Sequence, residues 1–207
     1  MRKALEGIIA KRLPGSAKRS SDGFASTFAS VTRSVGKAPL VLEAAEATGL
    51  QWPLTGWCLD DAVRVVLLLD EADRLPAGQR VELAAETFRQ ADSRERAAIL
   101  RALPLLPQPA DYVPLAVEGC RTSVQPVFEA IACENPFPER HFPELNFNQL
   151  VLKALFIEVP VARILGLERR ITPELSRMAA DYAAERSAAG RTVPADIAKL
   201  TRSPKEL

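Results

Sequence analysis

A chain of 207 residues with 47% apolar and 26% charged residues and a net charge of +1 has the make-up of an ordinary globular protein, with enough apolar material for a sizeable core. The near-neutral balance gives no global field to hold nucleic acid, and 6% aromatics leave few rings on which bases could stack, so no nucleic-acid partner is expected. Cys58, Cys120 and Cys133 form no CxxC pair and no disulfide framework; they suit a reducing compartment, and the cytoplasm is the expected location.

Leu5, Ile8, Ile9 and Leu13 fall at helical spacing and predict a first helix, ended by Pro14–Gly15. Arg2, Lys3, Lys11 and Arg12 flank it, as on a membrane-surface helix. Its apolar face is small and lacks Trp and Phe, so docking on its own domain is expected, with membrane contact at most peripheral. Glu6 interrupts the stretch, which is too short for a secretory signal, and the longest apolar run, Val65–Leu69, is too short to cross a bilayer. Pro14–Asp22 is small, polar and basic and predicts a flexible link. Phe24, Phe28 and Val31 mark a second helix closing near Gly36, and Pro39–Ala47 a short one stopping at Gly49. Trp52–Pro53 and Gly56–Trp57 predict a kinked connection. Asp60 and Asp61 then open a helix, where negative charge meets the positive end of the macrodipole. That helix runs to about Asp73, and Val63–Leu69 is apolar around most of its girth, which places it in the middle of the core.

From Pro76 the pattern is regular. Val81, Ala84, Ala85 and Phe88 predict one helix. Asp92 and Glu95 form a capping box that opens another, with Ile99, Ala102, Leu103 and Leu106 on one face. Val113, Val117 and Cys120 mark a third, and Ser123 caps a fourth, with Pro126 in its first turn and Val124, Val127, Phe128 and Ile131 as its apolar face. Val81 and Val113, Leu83 and Leu115, and Ile99 and Ile131 stand in one common register, as in stacked helix pairs, although any two amphipathic hairpins align this well by chance. The loop Asn135–Pro143 carries three prolines and leads to an apolar helix at about Leu145–Glu158, broken by Pro160. Thr172–Pro173 is an N-cap followed by proline at the first helical position, opening a helix to about Ala189. Pro194–Leu200 predicts a further turn. No segment alternates convincingly as a strand. The expected fold is all-α, either stacked helical hairpins in a HEAT-like α-solenoid or a compact multi-helix bundle. A single domain over residues 1–200 is expected, with a frayed tail at Thr201–Leu207.

The chain carries no GxGxxG, Walker, GxSxG or HExxH motif, and no cofactor is expected. Cys58, Cys120, Cys133 and His141 are zinc-ligand types without zinc-ligand spacing; they read as three core cysteines and a loop histidine, and no metal is expected. One region is dense in polar groups. Gln125 and Glu129 lie i, i+4 on one helix face away from Val124, Phe128 and Ile131, and Arg121 sits in the turn before them. Asn148, Gln149 and Lys153 follow, the last two again i, i+4, with His141 and Asn146 near them in sequence. If the two helices are neighbours, Arg121, Gln125, Glu129, Asn148, Gln149 and Lys153 are candidate ligand-binding residues of a cleft, with Glu134, Asn135 and His141 behind them. The other reading is structural: Glu129–Lys153 and Arg121–Glu134 as ion pairs, and the amides as helix caps.

At this polar region the chain resembles the EboA family. The resemblance is carried by Leu103-Pro-Leu-Leu-Pro, Glu118-Gly-Cys-Arg-Thr, Phe128-Glu-Ala-Ile-Ala, Glu134-Asn-Pro-Phe-Pro, His141-Phe and Asn148-Gln-Leu-Val-Leu-Lys-Ala-Leu-Phe. Gly166-Leu-Glu-Arg-Arg, Pro173-Glu-Leu, Asp181-Tyr-Ala and Glu185-Arg through Gly190-Arg extend it to the end. Gly36-Lys-Ala-Pro-Leu and Gly56-Trp-Cys-Leu-Asp-Asp-Ala extend it upstream, so it covers nearly the whole chain. Thr172 stands where the family pattern has Asn, and both cap helices. The resemblance implies a bacterial gene cluster shared with a UbiA-type prenyltransferase, a TatD-like hydrolase and sugar-phosphate-type enzymes. It also implies a role in specialised metabolism and export of metabolite precursors. It brings no catalytic residues. Two readings follow: a non-catalytic helical-repeat binding or scaffold protein whose partners are other ebo-cluster proteins or a small metabolite, or an enzyme of unfamiliar type with its site in the 118–153 polar cluster.

Overall fold

Every regular element among the described residues, 1–13 and 23–201 of a computed structural model, is helical: thirteen α-helices and three 3-10 turns, with one isolated bridge between Pro39 and Cys58. The all-α class read from the sequence holds. The expected link Pro14–Asp22 and residues 202–207 of the expected tail lie outside the described residues. No helix among the described residues is long and apolar enough to cross a membrane. Contacts divide the chain into two units, Met1–Phe137 and Pro138–Leu207.

The first unit holds α1 (Arg2–Arg12), α2 (Phe24–Val35), α3 (Ala44–Thr48), α4 (Leu59–Arg74), α5 (Ala77–Gln90), α6 (Ser93–Ala102), α7 (Val113–Cys120) and α8 (Gln125–Ala132). α4 is its centre: α1, α2, α5 and α6 pack on it, and α8 packs on α6 and α7. Eleven of its sixteen residues are buried, as an apolar girth requires. Each buried Val or Leu contributes about 1.5–3 kcal/mol. α1 docks as expected, with Leu5, Ile8 and Ile9 inside and Arg2 bound to Asp70 and Asp73 of α4. The capping box at Asp92 is present, its carboxylate accepting from the Arg94 and Glu95 N–H groups at 2.8 Å each.

Four details differ from the sequence reading. α3 begins at Ala44 rather than Pro39, because the chain before it is extended: Leu40 N–H donates to the Trp57 carbonyl at 2.8 Å and Leu59 N–H to that of Ala38 at 2.9 Å. α6 ends at Ala102, since Pro104 lacks the N–H that would continue it; Leu103–Leu105 tighten into a 3-10 turn that still buries Leu103 and Leu106. α7 buries Leu115, Ala116 and Gly119 rather than Val113, Val117 and Cys120. Val124, not Ser123, is the N-cap of α8, with its N–H bound to the Thr122 hydroxyl at 3.1 Å and its side chain exposed.

The second unit contains α10 (Glu144–Phe156), a 3-10 turn (Val161–Arg163), α11 (Leu167–Arg170), α12 (Pro173–Ala188) and α13 (Ile197–Thr201). At its start, α9 (Phe137–His141) occupies much of the expected loop, whose Asn135–Pro138 is buried. The Thr172 cap is present, its hydroxyl accepting from Leu175 N–H at 3.2 Å. Ser176 of α12 donates to the Leu200 carbonyl of α13 at 2.6 Å. Thr201 closes α13, its hydroxyl donating to the Ile197 carbonyl at 3.2 Å.

Candidate functional site

Of the six sequence-predicted ligand residues, Arg121, Gln125 and Glu129 lie in the first unit and Asn148, Gln149 and Lys153 in the second. Arg121 is exposed at the C-cap of α7. Gln125 donates from Nε2 to Glu129 Oε1 at 2.8 Å, the i, i+4 pairing that their spacing dictates. On α10, Gln149 is exposed, Lys153 is half-buried and Asn148 is 2% exposed. Asn148 Oδ1 meets no hydrogen-bond partner among the described residues. A buried acceptor left in this way costs about 1–3 kcal/mol.

The residues placed behind these have visible structural tasks. Asn135 spends its side chain on backbone, with Nδ2 donating to the Leu100 and Ala130 carbonyls at 3.1 and 2.9 Å and Oδ1 accepting from Phe137 N–H at 3.0 Å. It thereby staples the end of α8 to α6. Glu134, which precedes it, turns the chain at φ 49°, a left-handed conformation that is uncommon outside glycine. His141 ends α9, where burial and then the Arg140 charge lower its pKa from the ordinary value.

A second polar centre lies at the start of α4, where the sequence marks Asp60 and Asp61 only as helix-opening charges. Asp60 is fully buried and its carboxylate accepts from Thr32 at 2.8 Å, from Arg64 Nη1 at 3.0 Å and from Arg94 Nη2 at 2.7 and 2.9 Å. Burial alone would raise its pKa, but the hydrogen bonds from Arg94 and Thr32 and the Arg94 and Arg64 charges outweigh this and hold it below the ordinary carboxylate value. Arg64, 1% exposed, also donates to the Phe28 carbonyl at 3.2 Å and to Thr32 at 3.0 Å, so its charge is both paired and hydrogen-bonded. Asp61 binds Arg101 at 2.8 Å and the Cys58 N–H at 2.8 Å. The sequence signal was an Asp60/Arg64 pair at i, i+4 inside an otherwise apolar run, which a solvated reading of charge passes over.

Cys58, Asp60 and Asp61 bring potential metal-ligand atoms within 4.8 Å of one another. Both carboxylates are already taken by Arg64, Arg94 and Arg101, so a cation there would sit among three guanidinium groups and is electrostatically disfavoured.

Two concavities stand out. One of about 580 Å³ in the first unit is lined by Leu40, Leu42, Leu50, Trp52 and residues 53–56. The other, of about 490 Å³, lies within the second unit, with Ile164, Leu165, Leu167 and Ile171 as its apolar surface and Arg169 and Lys199 as its cations. At Gly166, φ is 71°, a left-handed conformation that favours glycine, and a Cβ there would press on the Glu139 side chain.

Against known proteins, the family described as Metabolite traffic protein EboA matches residues 7–202. No curated protein matches, and no solved structure matches.

Proposed function

Because the chain belongs to the EboA family, we propose that it serves metabolite traffic as a non-catalytic binding protein, with a small metabolite or another ebo-cluster protein as its partner in a bacterial specialised-metabolite pathway of the cytoplasm. The helical hairpins α5–α6 and α7–α8 act as the scaffold, in the manner of HEAT-like pairs. Asn148, Gln149 and Lys153 of α10 are the proposed recognition groups of the second unit, and Arg121, Gln125 and Glu129 are a separate proposed set in the first. The observation that carries this reading is the buried, unpartnered carbonyl oxygen of Asn148. An orphan acceptor is a standing cost to the folded chain and serves binding when a donor arrives.

The test separates stability from function. Asn148→Leu keeps the branched shape of the side chain and removes the orphan acceptor. It is expected to leave the melting temperature unchanged or raised, and to cut the yield of the cluster's metabolite in the native host. A pull-down with the wild-type chain, read by mass spectrometry for proteins and small molecules, supplies the partner that the Asn148→Leu chain should lose. Undiminished metabolite yield with Asn148→Leu would sink the proposal.

A further inference from the structure

We propose that the outward face of α10 and α12 is a docking surface for an amphipathic helix of a partner protein, one whose apolar stripe is bordered by lysine or arginine. The surface does not use Asn148, which is buried, and it does not depend on the role proposed for that residue.

Four large apolar side chains are exposed among the described residues, and two of them, Leu145 and Phe156, lie on α10, 62% and 67% exposed. Eleven positions separate them, about three turns, so they look out from one face at the two ends of about 16 Å of helix. Gln149 and Leu152 fall between them at the same spacing, the first exposed and the second half-buried. α10 already has a core face in Phe147, Leu150, Val151 and Ala154, so the fold does not need the outward stripe. An exposed apolar row on a helix packed by its other side is the mark of an interaction surface.

α12 runs beside α10 in the same direction. At one end Thr172 donates to the Glu144 carboxylate at 3.1 Å; at the other the Phe156 and Tyr182 ring centroids stand 6.5 Å apart. Tyr182 and Met178, one turn before it on α12, are both half-buried. The seam between two such helices receives a third helix by its apolar side chains at i, i+4 and i+7.

The border sets the partner's charge. Glu144, Glu158 and Glu185 edge the seam and make no ion pair among the described residues. The cations beside them are Lys153, half-buried, and Arg186, whose guanidinium donates to the Thr192 carbonyl at 2.6 Å and the Tyr182 hydroxyl at 3.1 Å. Farther out on α12, Arg177 is shared by Glu174 and Asp181 at 2.7 Å each, which adds one more carboxylate than cation. Carboxylates therefore outnumber cations around the seam, so a basic flank is attracted and an acidic one repelled. The same sign turns the surface away from an anionic bilayer. A second copy of this chain does not supply the match, because its basic amphipathic helix, α1, is docked on its own α4 through Leu5, Ile8 and Ile9.

The probe is a fluorescein-labelled peptide of about 18 residues made of Leu and Lys, with the leucines at helical spacing, titrated with the full chain and read by anisotropy. One control carries Glu in place of Lys, and another has the same composition with the spacing scrambled. The spaced Lys peptide is expected to bind one to one and at least about tenfold more tightly than either control. Leu145→Ser and Phe156→Ser, both at exposed positions, should each weaken it about three- to tenfold with the melting temperature kept. Glu158→Lys combined with Glu185→Lys should weaken it by a similar factor and strengthen the Glu peptide. Asn148→Leu should leave the peptide affinity as it is, which separates this surface from the role proposed for Asn148. No binding, equal binding of the Lys and Glu peptides, or binding indifferent to Phe156→Ser would each overturn the assignment. So would co-sedimentation with vesicles of phosphatidylcholine and about one quarter phosphatidylglycerol that Phe156→Ser abolishes, which would give the face to a lipid surface. A dimer in analytical ultracentrifugation that Phe156→Ser dissociates would overturn it too, giving the face to a second copy.

Discussion

At Asp60, donors from Thr32, Arg64 and Arg94 converge on one fully buried carboxylate, so its loss would leave the buried Arg64 charge with only the more distant Glu95 carboxylate, at 3.7 Å. Asp60→Asn is expected to cost about 3–5 kcal/mol in urea denaturation, and adding Arg64→Met to recover a good part of it, because an apolar side chain needs no counter-charge. A loss below about 1 kcal/mol would mean that solvent reaches the network. The same carboxylate links stability to pH. Its folded pKa is lowered from 3.8, so its contribution is present above that value and fades as pH falls below it toward the lower folded pKa. His141 acts in the higher range. Burial and Arg140 lower its pKa from 6.5, so the unfolded chain takes up the proton first, and stability present above 6.5 declines as pH drops beneath it. His141→Gln should flatten the melting temperature between pH 7 and about pH 5.5, where the wild-type chain should lose stability; parallel curves for the two proteins would remove His141 from this account. Asp60 was read from sequence as a helix-opening charge, and rightly, but its burial depends on Thr32 and Arg94, which only the tertiary fold delivers.

Where local chemistry decides a helix, the sequence was sufficient. The Asp92 box, the Thr172 cap and the Gly36 terminus of α2 each depend on a few adjacent residues. The Ala102 boundary of α6 follows from Pro104 in the same way, although an apolar stripe running past it to Leu106 hid the stop. α7 departs from its sequence pattern for a different reason. Val113, Val117 and Cys120 are its more apolar row, yet Leu115, Ala116 and Gly119 face inward, because the small residues let α7 approach Leu100 of α6. A Cβ on Gly119 would stand 2.7 Å from Leu100 Cδ2, and Leu100 is fully buried. Gly119→Ala is therefore expected to destabilise by about 1–3 kcal/mol by overpacking. With Leu100→Ala the two losses should add to less than their sum, since each change relieves the strain left by the other. Strict additivity in urea denaturation would show that the helices separate without resistance.

Across the whole molecule, legibility follows apolar density. Val63–Leu69 announced a central helix, and α4 is one, with neighbours on several faces. Asn148 was named as a recognition residue from its place in a polar stretch, but its burial and its unpartnered oxygen arise from the packing of α10, which spacing alone does not give. The cavity at 162–171 escaped notice because its apolar residues look like ordinary core and its cations like ordinary surface. The same density predicts how the fold opens. Amides of Val65–Leu69 sit in a helix buried on most sides, so they should exchange with solvent only when the protein unfolds. α12 is as long as α4, at 16 residues, but buries only Leu175 and Ala179, so its C-terminal half should open by local fraying at lower free energy. Native-state hydrogen exchange across a denaturant series should show the α4 amides on the global unfolding isotherm and the Ala183–Ala188 amides well beneath it with little denaturant dependence. Equal protection of the two helices would mean that α12 is held by contacts its buried residues do not reveal.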